Sequence, residues 1–438
     1  MQPLPLPAGF AVRPETMAEH EHTEDVETLD ELDARPGSAS HERNTPRARA
    51  ITKLVVAGCM ALALAVHGRV TARRVARTYA ADAPVLPTPP PEPSLRIDEV
   101  EALHDAFTRE DFTTLDLRLA WDGREARHDP GYELRYRVAL DIFDRDDPSV
   151  RRALDLWVAQ APMSPAARLA RATHFTARAW TARGHAVTSK TTRDRFREMD
   201  EWFGLAAADI AAARRLDSTN VMSYWLQLGL IPGGDVDERA VLEQGLRQLP
   251  GSLLLRTRVQ HYRRPRWSSG RWRSARVEML AFADESDEAS ISNPRVHVIR
   301  GYIPFDSAEF LHHRDLELEA VEMYSRALRH GDFWVFRLGR ADAYFYSKQW
   351  SKAKDDYDAV LVERPTATEA RARRAATCMR LFWKVPLGAE RNAMMQCMLE
   401  DIRIASTLDP GNPDLAWILK QHPYLERFVV IPPAGAHR

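Results

Sequence analysis

Two eleven-residue stretches, Leu318–Leu328 and Ser351–Leu361, carry the same side-chain types at the same helical spacing, 33 residues apart. Ala320, Tyr324, Ala327 and Leu328 in the first correspond to Ala353, Tyr357, Val360 and Leu361 in the second. A repeat of this length is one helical hairpin. It cannot bury its apolar face alone, so neighbouring hairpins must stack. The small residue lets the second helix approach its partner, and the tyrosine four residues on fills the gap between hairpins. Pro365 then ends the helix, because proline cannot continue one. The preceding helix repeats the theme with Ala341 and Tyr344.

Fainter echoes run along the chain. Ala206, Ile210 and Ala213 precede the turn Leu216 to Asn220. Gly245 and Leu246 precede Pro250, and Ala405 precedes Leu408 to Pro413. Pro148 to Ala161 and Ser164 to Arg183 read as a further pair, with Gly184 as the stop. No segment sustains a period of two, which argues against a sheet. The expected fold is all-α, a solenoid of antiparallel helical hairpins.

Ala341, Tyr344, Ala353, Tyr357 and Pro365 resemble the tetratricopeptide pattern of small, aromatic, small, aromatic and proline. The Trp and Gly expected near the start are out of register, so this copy is degenerate. Between about Tyr132 and Ala283 the chain also resembles bacterial proteins carrying the domain of unknown function 4034, themselves tetratricopeptide-like. The stretches concerned are Leu156-Trp157, Ser164, Ala167, Ala179 to Gly184, Pro265 to Gly270 and Met279 to Ala283. The Trp267 to Gly270 turn lacks the second glycine of that group. This resemblance implies a fold and no activity.

The first hundred residues read differently. Residues 1–50 are rich in Pro, Glu, Asp, Ser and Ala, and hold nine acidic residues and no Lys or Arg between Glu15 and Asp33. Such a segment cannot bury enough apolar surface to fold, so a disordered acidic tail is expected. Leu54 to Val66 is an unbroken apolar run of thirteen residues. With its flanks, 51–70 approaches the ~20 residues that span a bilayer. The alternative, a buried helix of a soluble domain, has no neighbouring core to support it. Val56-Ala57-Gly58-Cys59 resembles a lipoprotein box, but Lys53 lies too near and the apolar run continues past the cysteine. Residues 71–94 form a basic flank and a proline-rich linker, Pro84 to Pro93, suited to a semi-rigid tether. Arginines flank both ends of the apolar run, so positive-inside counting ties. The expectation is a single pass through the inner membrane, with a cytoplasmic N-terminus and a periplasmic C-terminal domain. That domain divides into irregular hairpins over 95–299, tetratricopeptide-like repeats over 300–428 and a flexible tail over 429–438.

Eight arginines and no acid lie between Arg256 and Arg276, interleaved with His261, Tyr262, Trp267 and Trp272. Internal pairing with the acidic run Glu278, Asp284, Glu285, Asp287 and Glu288 is one reading. Binding of an anion or acidic peptide through Arg263, Arg264, Arg266, Trp267 and Arg271 is the other. Nucleic acid is disfavoured by a formal net charge of -1. Cys378 and Cys397 lie ten residues before and nine after Gly388, in the turn expected between two long helices. They would sit at one height, either as a disulfide or as two small buried residues. His20-Glu21-His22 and His312-His313 lack partners at metal-ligand spacing. Asp355-Asp356 reads as solvated. Searches for G-x-S-x-G, P-loop, H-E-x-x-H and dinucleotide-binding motifs find none, so no catalytic residue, metal or cofactor is assigned.

The leading expectation is a membrane-tethered scaffold for a protein or peptide. Its groove would be lined by Val335, Leu338, Asp342 and Phe345, with Glu309 and His312 from the preceding hairpin. The rivals are an enzyme with a site near Arg256–Arg276 and a purely structural assembly factor.

Overall fold

Side chains that accept from the free N–H groups of a first turn set many of the helix starts. Asp111, Asp147, Ser164, Thr192, Asn220, Asp237, Ser252 and Asn412 all do so. Proline follows directly at Pro148, Pro165 and Pro413, where its missing N–H costs nothing. A computed structural model of the chain describes residues 95–428, apart from 146, 185–189, 235, 268–271 and 410. The expected tail 1–50, membrane helix 51–70, linker 71–94 and C-terminal tail 429–438 therefore lie outside the described residues.

The described residues form seventeen α-helices and no strand. The first ten are α1 (Ile97–Thr108), α2 (Phe112–His128), α3 (Glu133–Leu140), α4 (Pro148–Gln160), α5 (Pro165–Arg183), α6 (Arg193–Leu216), α7 (Val221–Leu228), α8 (Glu238–Gln248), α9 (Leu253–Tyr262) and α10 (Trp272–Asp287). The rest are α11 (Val298–His312), α12 (Glu317–Leu328), α13 (Trp334–Tyr346), α14 (Trp350–Glu363), α15 (Thr368–Phe382), α16 (Ala389–Leu408) and α17 (Pro413–Gln421). No helix among the described residues is long and apolar enough to cross a membrane.

From α11 onward the helices pack in chain order: α11 on α12, α13 on α14, α15 on α16, with α12 on α13 and α14 on α15 joining the pairs. Ala320, Ala327, Ala353, Tyr357 and Val360 are fully buried and Tyr324 nearly so, as the 33-residue spacing predicts. Close approach is enforced by glycine. A Cβ at Gly339 would lie 2.5 Å from the Tyr324 ring, and one at Gly301 would lie 2.6 Å from Phe336. Upstream, α4 and α5 have the expected bounds, and Gly184 ends α5 at φ +72°. Their pairing differs from expectation, because α5 lies chiefly along α6.

The reason is electrostatic. Arg168 and Arg171 of α5 both reach Asp209 of α6, with Arg171 bidentate at 2.7 and 2.9 Å. The same device recurs twice. Arg337 and Arg340 of α13 hold Asp356 of α14. Arg371 and Arg374 of α15 hold Asp401 of α16. Asp356 is thus buried and clamped rather than solvated, although Asp355 is exposed. A planar guanidinium fork fits a carboxylate in one orientation, so each clamp fixes the register of its hairpin. Cys378 and Cys397 are joined in a disulfide across α15 and α16, with Cα atoms 6.4 Å apart.

Two outcomes follow. Asp401→Ala leaves Arg371 buried without its carboxylate and lowers the unfolding free energy by about 3–5 kcal/mol in denaturant titration. Reduction, or Cys378→Ser with Cys397→Ser, lowers thermal stability by about 3 kcal/mol, the entropy of a closed loop of this size.

Candidate functional site

Helix α3 is buried along its whole length, yet it carries charge at Glu133, Arg135 and Arg137. Alternate positions on a helix point to different faces, so no rotation of α3 solvates all three. Each needs a partner inside. Arg135 finds Asp122 at 3.1 Å and Glu99 at 2.6 Å. Glu133 accepts from the Leu254 backbone N–H at 2.9 Å. Burial pushes its carboxyl up to about 7, against hydrogen bonds from Ser252 and Leu254. Arg137 reaches Asp141 only at 3.5 Å, and its Nε has no hydrogen-bond partner.

Across from it, Arg258 of α9 lies over the Trp225 ring at 4.3 Å and the Tyr262 ring at 5.3 Å. Among the described residues its Nε and Nη2 have no hydrogen-bond partner. Gly229 makes room for it, since a Cβ there would lie 2.3 Å from Nη2. Burial lowers the Arg258 pKa, and the charge of Arg137 adds to that. His261, one turn on, is buried, with both ring nitrogens unpartnered among the described residues. Burial, then Arg264, Arg258 and Arg266, drive its pKa well below 6.5, so the imidazole is neutral. A neutral ring offers one donor and one acceptor.

These groups line a cavity of about 60 Å³, walled by Trp225, Tyr302, Phe333, Trp334 and Val335. A second cavity of about 60 Å³ lies on the other side of Arg137 and contains Asp141, Asp144, Arg364, Glu369 and Asp409. Carboxylates balance the arginines there. A larger groove of about 570 Å³ runs along α2 and the α4–α5 turn. Within it, Ser164 donates to Asp116, and Asn220 donates to Tyr136. Among the described residues no three His, Cys, Asp or Glu converge as a metal site, and His20-Glu21-His22 lies outside them.

The residues expected in a groove fall elsewhere. Val335, Leu338, Asp342 and Glu309 are 1–3% exposed. Val335 and Leu338 are core, and of the six only Val335 lines the arginine cavity. Asp342 accepts from Tyr357 at 2.6 Å and from Arg373, tying α13, α14 and α15 together. Glu309 accepts from Arg264. His312 pairs with Glu317, and Phe345 packs half-buried against the α15–α16 core. The tetratricopeptide spacing marks the helix faces but not which face meets solvent, because helix neighbours cover both.

Arg263, Arg264 and Arg276 of the arginine cluster pair internally with carboxylates outside the acidic run. Arg263 binds Glu238 at 2.8 Å. Arg264 and Arg276 bind Asp306, and Arg266 lies 3.7 Å from Glu309. Asp284 and Asp287 are held by Arg300 instead. Trp267 packs against Trp180, His261 and Tyr262. Arg263 and Arg264 are therefore engaged in ion pairs, and Arg271 lies outside the described residues.

With this geometry in place, comparison with known families matches one segment. The family described as Domain of unknown function (DUF4034) matches residues 99–231. That segment is of the DUF4034 type. No curated protein matches the chain. The match ends before Pro265 to Gly270 and Met279 to Ala283, so the resemblance read there extends past it. The DUF4034 segment supplies Glu133, Arg137 and Trp225 to the cavity, while Arg258, His261, Tyr302 and the α13 residues come from beyond it. Sequence reading missed Arg137 altogether. The available signal was charge at every second residue of a short helix, which forces burial of at least one.

Glu133 makes the site pH-sensitive. Its folded pKa exceeds its unfolded value, so the folded state binds the proton more tightly and stability falls as pH rises through about 7. Glu133→Gln removes that dependence. The melting temperature of the variant should fall less than that of the wild type between about pH 5 and pH 8. Asp122 and Asp342, also raised, remain in both proteins.

Proposed function

We propose that this protein is a membrane-tethered helical-repeat scaffold that binds a protein or peptide. Residues 95–428 form a tetratricopeptide-like solenoid, and residues 51–70 anchor it in the bilayer. One observation carries the reading. Helices distant in sequence, α3, α7, α9, α11 and α13, converge on a cavity where Arg137 Nε, Arg258 Nε and Nη2 and both His261 ring nitrogens have no hydrogen-bond partner among the described residues. Polar groups in a folded interior are normally satisfied, so a cavity lined by unsatisfied donors favours a bound partner. The 33-residue spacing, the stacked helix pairs and their buried alanine and tyrosine positions support the repeat assignment. The Cys378–Cys397 disulfide supports placing this domain outside the cytoplasm, where thiols oxidise.

An enzyme with its site near Arg256–Arg276 is less well supported. His261 is the imidazole in the cavity, and its pKa lies well below 6.5. A general base works best with a pKa near the operating pH. A purely structural assembly factor would leave the unsatisfied donors without a role.

Thr257 is half-buried and lines the cavity, so it is a suitable position for a photo-crosslinking residue. In membranes, the full chain carrying the probe at Thr257 should give a discrete, recurring cross-linked species. A probe at the exposed Glu201 should not. The absence of any species specific to Thr257 would count against the scaffold. A topology reporter fused after Arg438 should give a periplasmic signal, and a cytoplasmic one would remove the exported-domain reading.

A further inference from the structure

We infer that the cavity between Arg137 and Arg258 binds a carboxylate carrying a short apolar group. The inference rests on reading the chain as a binding scaffold, and it names the chemistry that the scaffold recognises. Arg258 lies over the Trp225 ring at 4.3 Å and over the Tyr262 ring at 5.3 Å. Stacking uses the face of a guanidinium and leaves its N–H groups in the plane at the edge. At that edge Nε and Nη2 are unsatisfied, as is Nε of Arg137. His261 adds a neutral donor. The cavity thus gathers donors from two cations and one imidazole around a small space.

Charge and size narrow the ligand. Arg137 has Asp141 at 3.5 Å and Glu133 accepts from Leu254, so among the described residues Arg258 is the cavity cation with no carboxylate at ion-pair distance. One negative charge would answer it. The walls Trp225, Phe333, Trp334 and Val335 are apolar and would leave a doubly charged group poorly solvated. About 60 Å³ accommodates a carboxylate and its adjoining carbon, with the remainder of any larger ligand outside the mouth. The fork of a guanidinium matches a planar carboxylate in two parallel hydrogen bonds. The cavity across Arg137 already holds Asp141 and Asp144, and it is not expected to take an anion.

The test uses the full chain in a nonionic detergent and reads its melting temperature against sodium butyrate, butyramide, sodium phosphate and sodium chloride at matched ionic strength. Butyrate should raise the melting temperature saturably. The other three should not exceed one another. Arg258→Met should melt no lower than wild type without ligand, because it removes a buried, unsatisfied charge. It should lose the butyrate shift, with affinity at least about tenfold weaker. Arg258→Lys keeps the charge without the fork and serves if the methionine variant does not fold. It too should weaken butyrate by about tenfold. A phosphate shift larger than the butyrate shift, an equal butyrate shift in both variants, or no butyrate-specific shift would each overturn the inference. Cross-linking at Thr257 without a butyrate shift would sink this inference alone. A butyrate shift without cross-linking would sink the scaffold and leave the carboxylate site.

Discussion

An aspartate on one helix held by two arginines three residues apart on the helix before it is the interaction on which this architecture depends. It appears as Arg168, Arg171 and Asp209, as Arg337, Arg340 and Asp356, and as Arg371, Arg374 and Asp401. Apolar packing between helices is tolerant of sliding, since alanine and leucine contacts are non-directional. A bidentate guanidinium is not. Each clamp therefore gives one hairpin one register, and the buried alanines and tyrosines interlock at that register alone.

The clamps also explain how so many arginines can be held inside a nearly neutral chain. Most of the buried guanidinium groups stand opposite a carboxylate at hydrogen-bonding distance. Arg264 and Arg276 share Asp306, and Arg135 shares Asp122 and Glu99. Where the DUF4034 helices meet α9 and α13 the accounting changes. Arg137 lies over Trp225 and reaches Asp141 at 3.5 Å, while Arg258 lies over Trp225 with no carboxylate at ion-pair distance among the described residues. An aromatic face stabilises a cation without satisfying its donors. That difference separates a structural arginine from one available to a ligand.

Much of the helical framework was legible in the sequence. The proline positions, the Gly184 stop and the alanine–tyrosine spacing located α4, α5 and the α12 to α14 repeats, because these signals act within one or two turns. The turn at Gly388 likewise placed Cys378 opposite Cys397. The groove was not legible. Val335, Leu338 and Asp342 sit on a helix that is covered by neighbours on more than one side, and periodicity cannot count neighbours. The pairing of α5 with α6 was hidden for a related reason, since Asp209 lies 38 residues beyond Arg171.

By itself, then, the sequence determined an all-helical chain, its principal helix boundaries and the repeat that makes helices stack. Those properties rest on local backbone chemistry and on the period of the apolar positions. Only the tertiary structure decided which arginines are engaged and which are not. Arg264 meets its carboxylate 45 residues away, whereas Arg258, which meets Arg137 across the DUF4034 boundary, has no carboxylate at ion-pair distance among the described residues. Whether a buried charge is satisfied depends on what long-range packing sets beside it, and no local pattern encodes that distance.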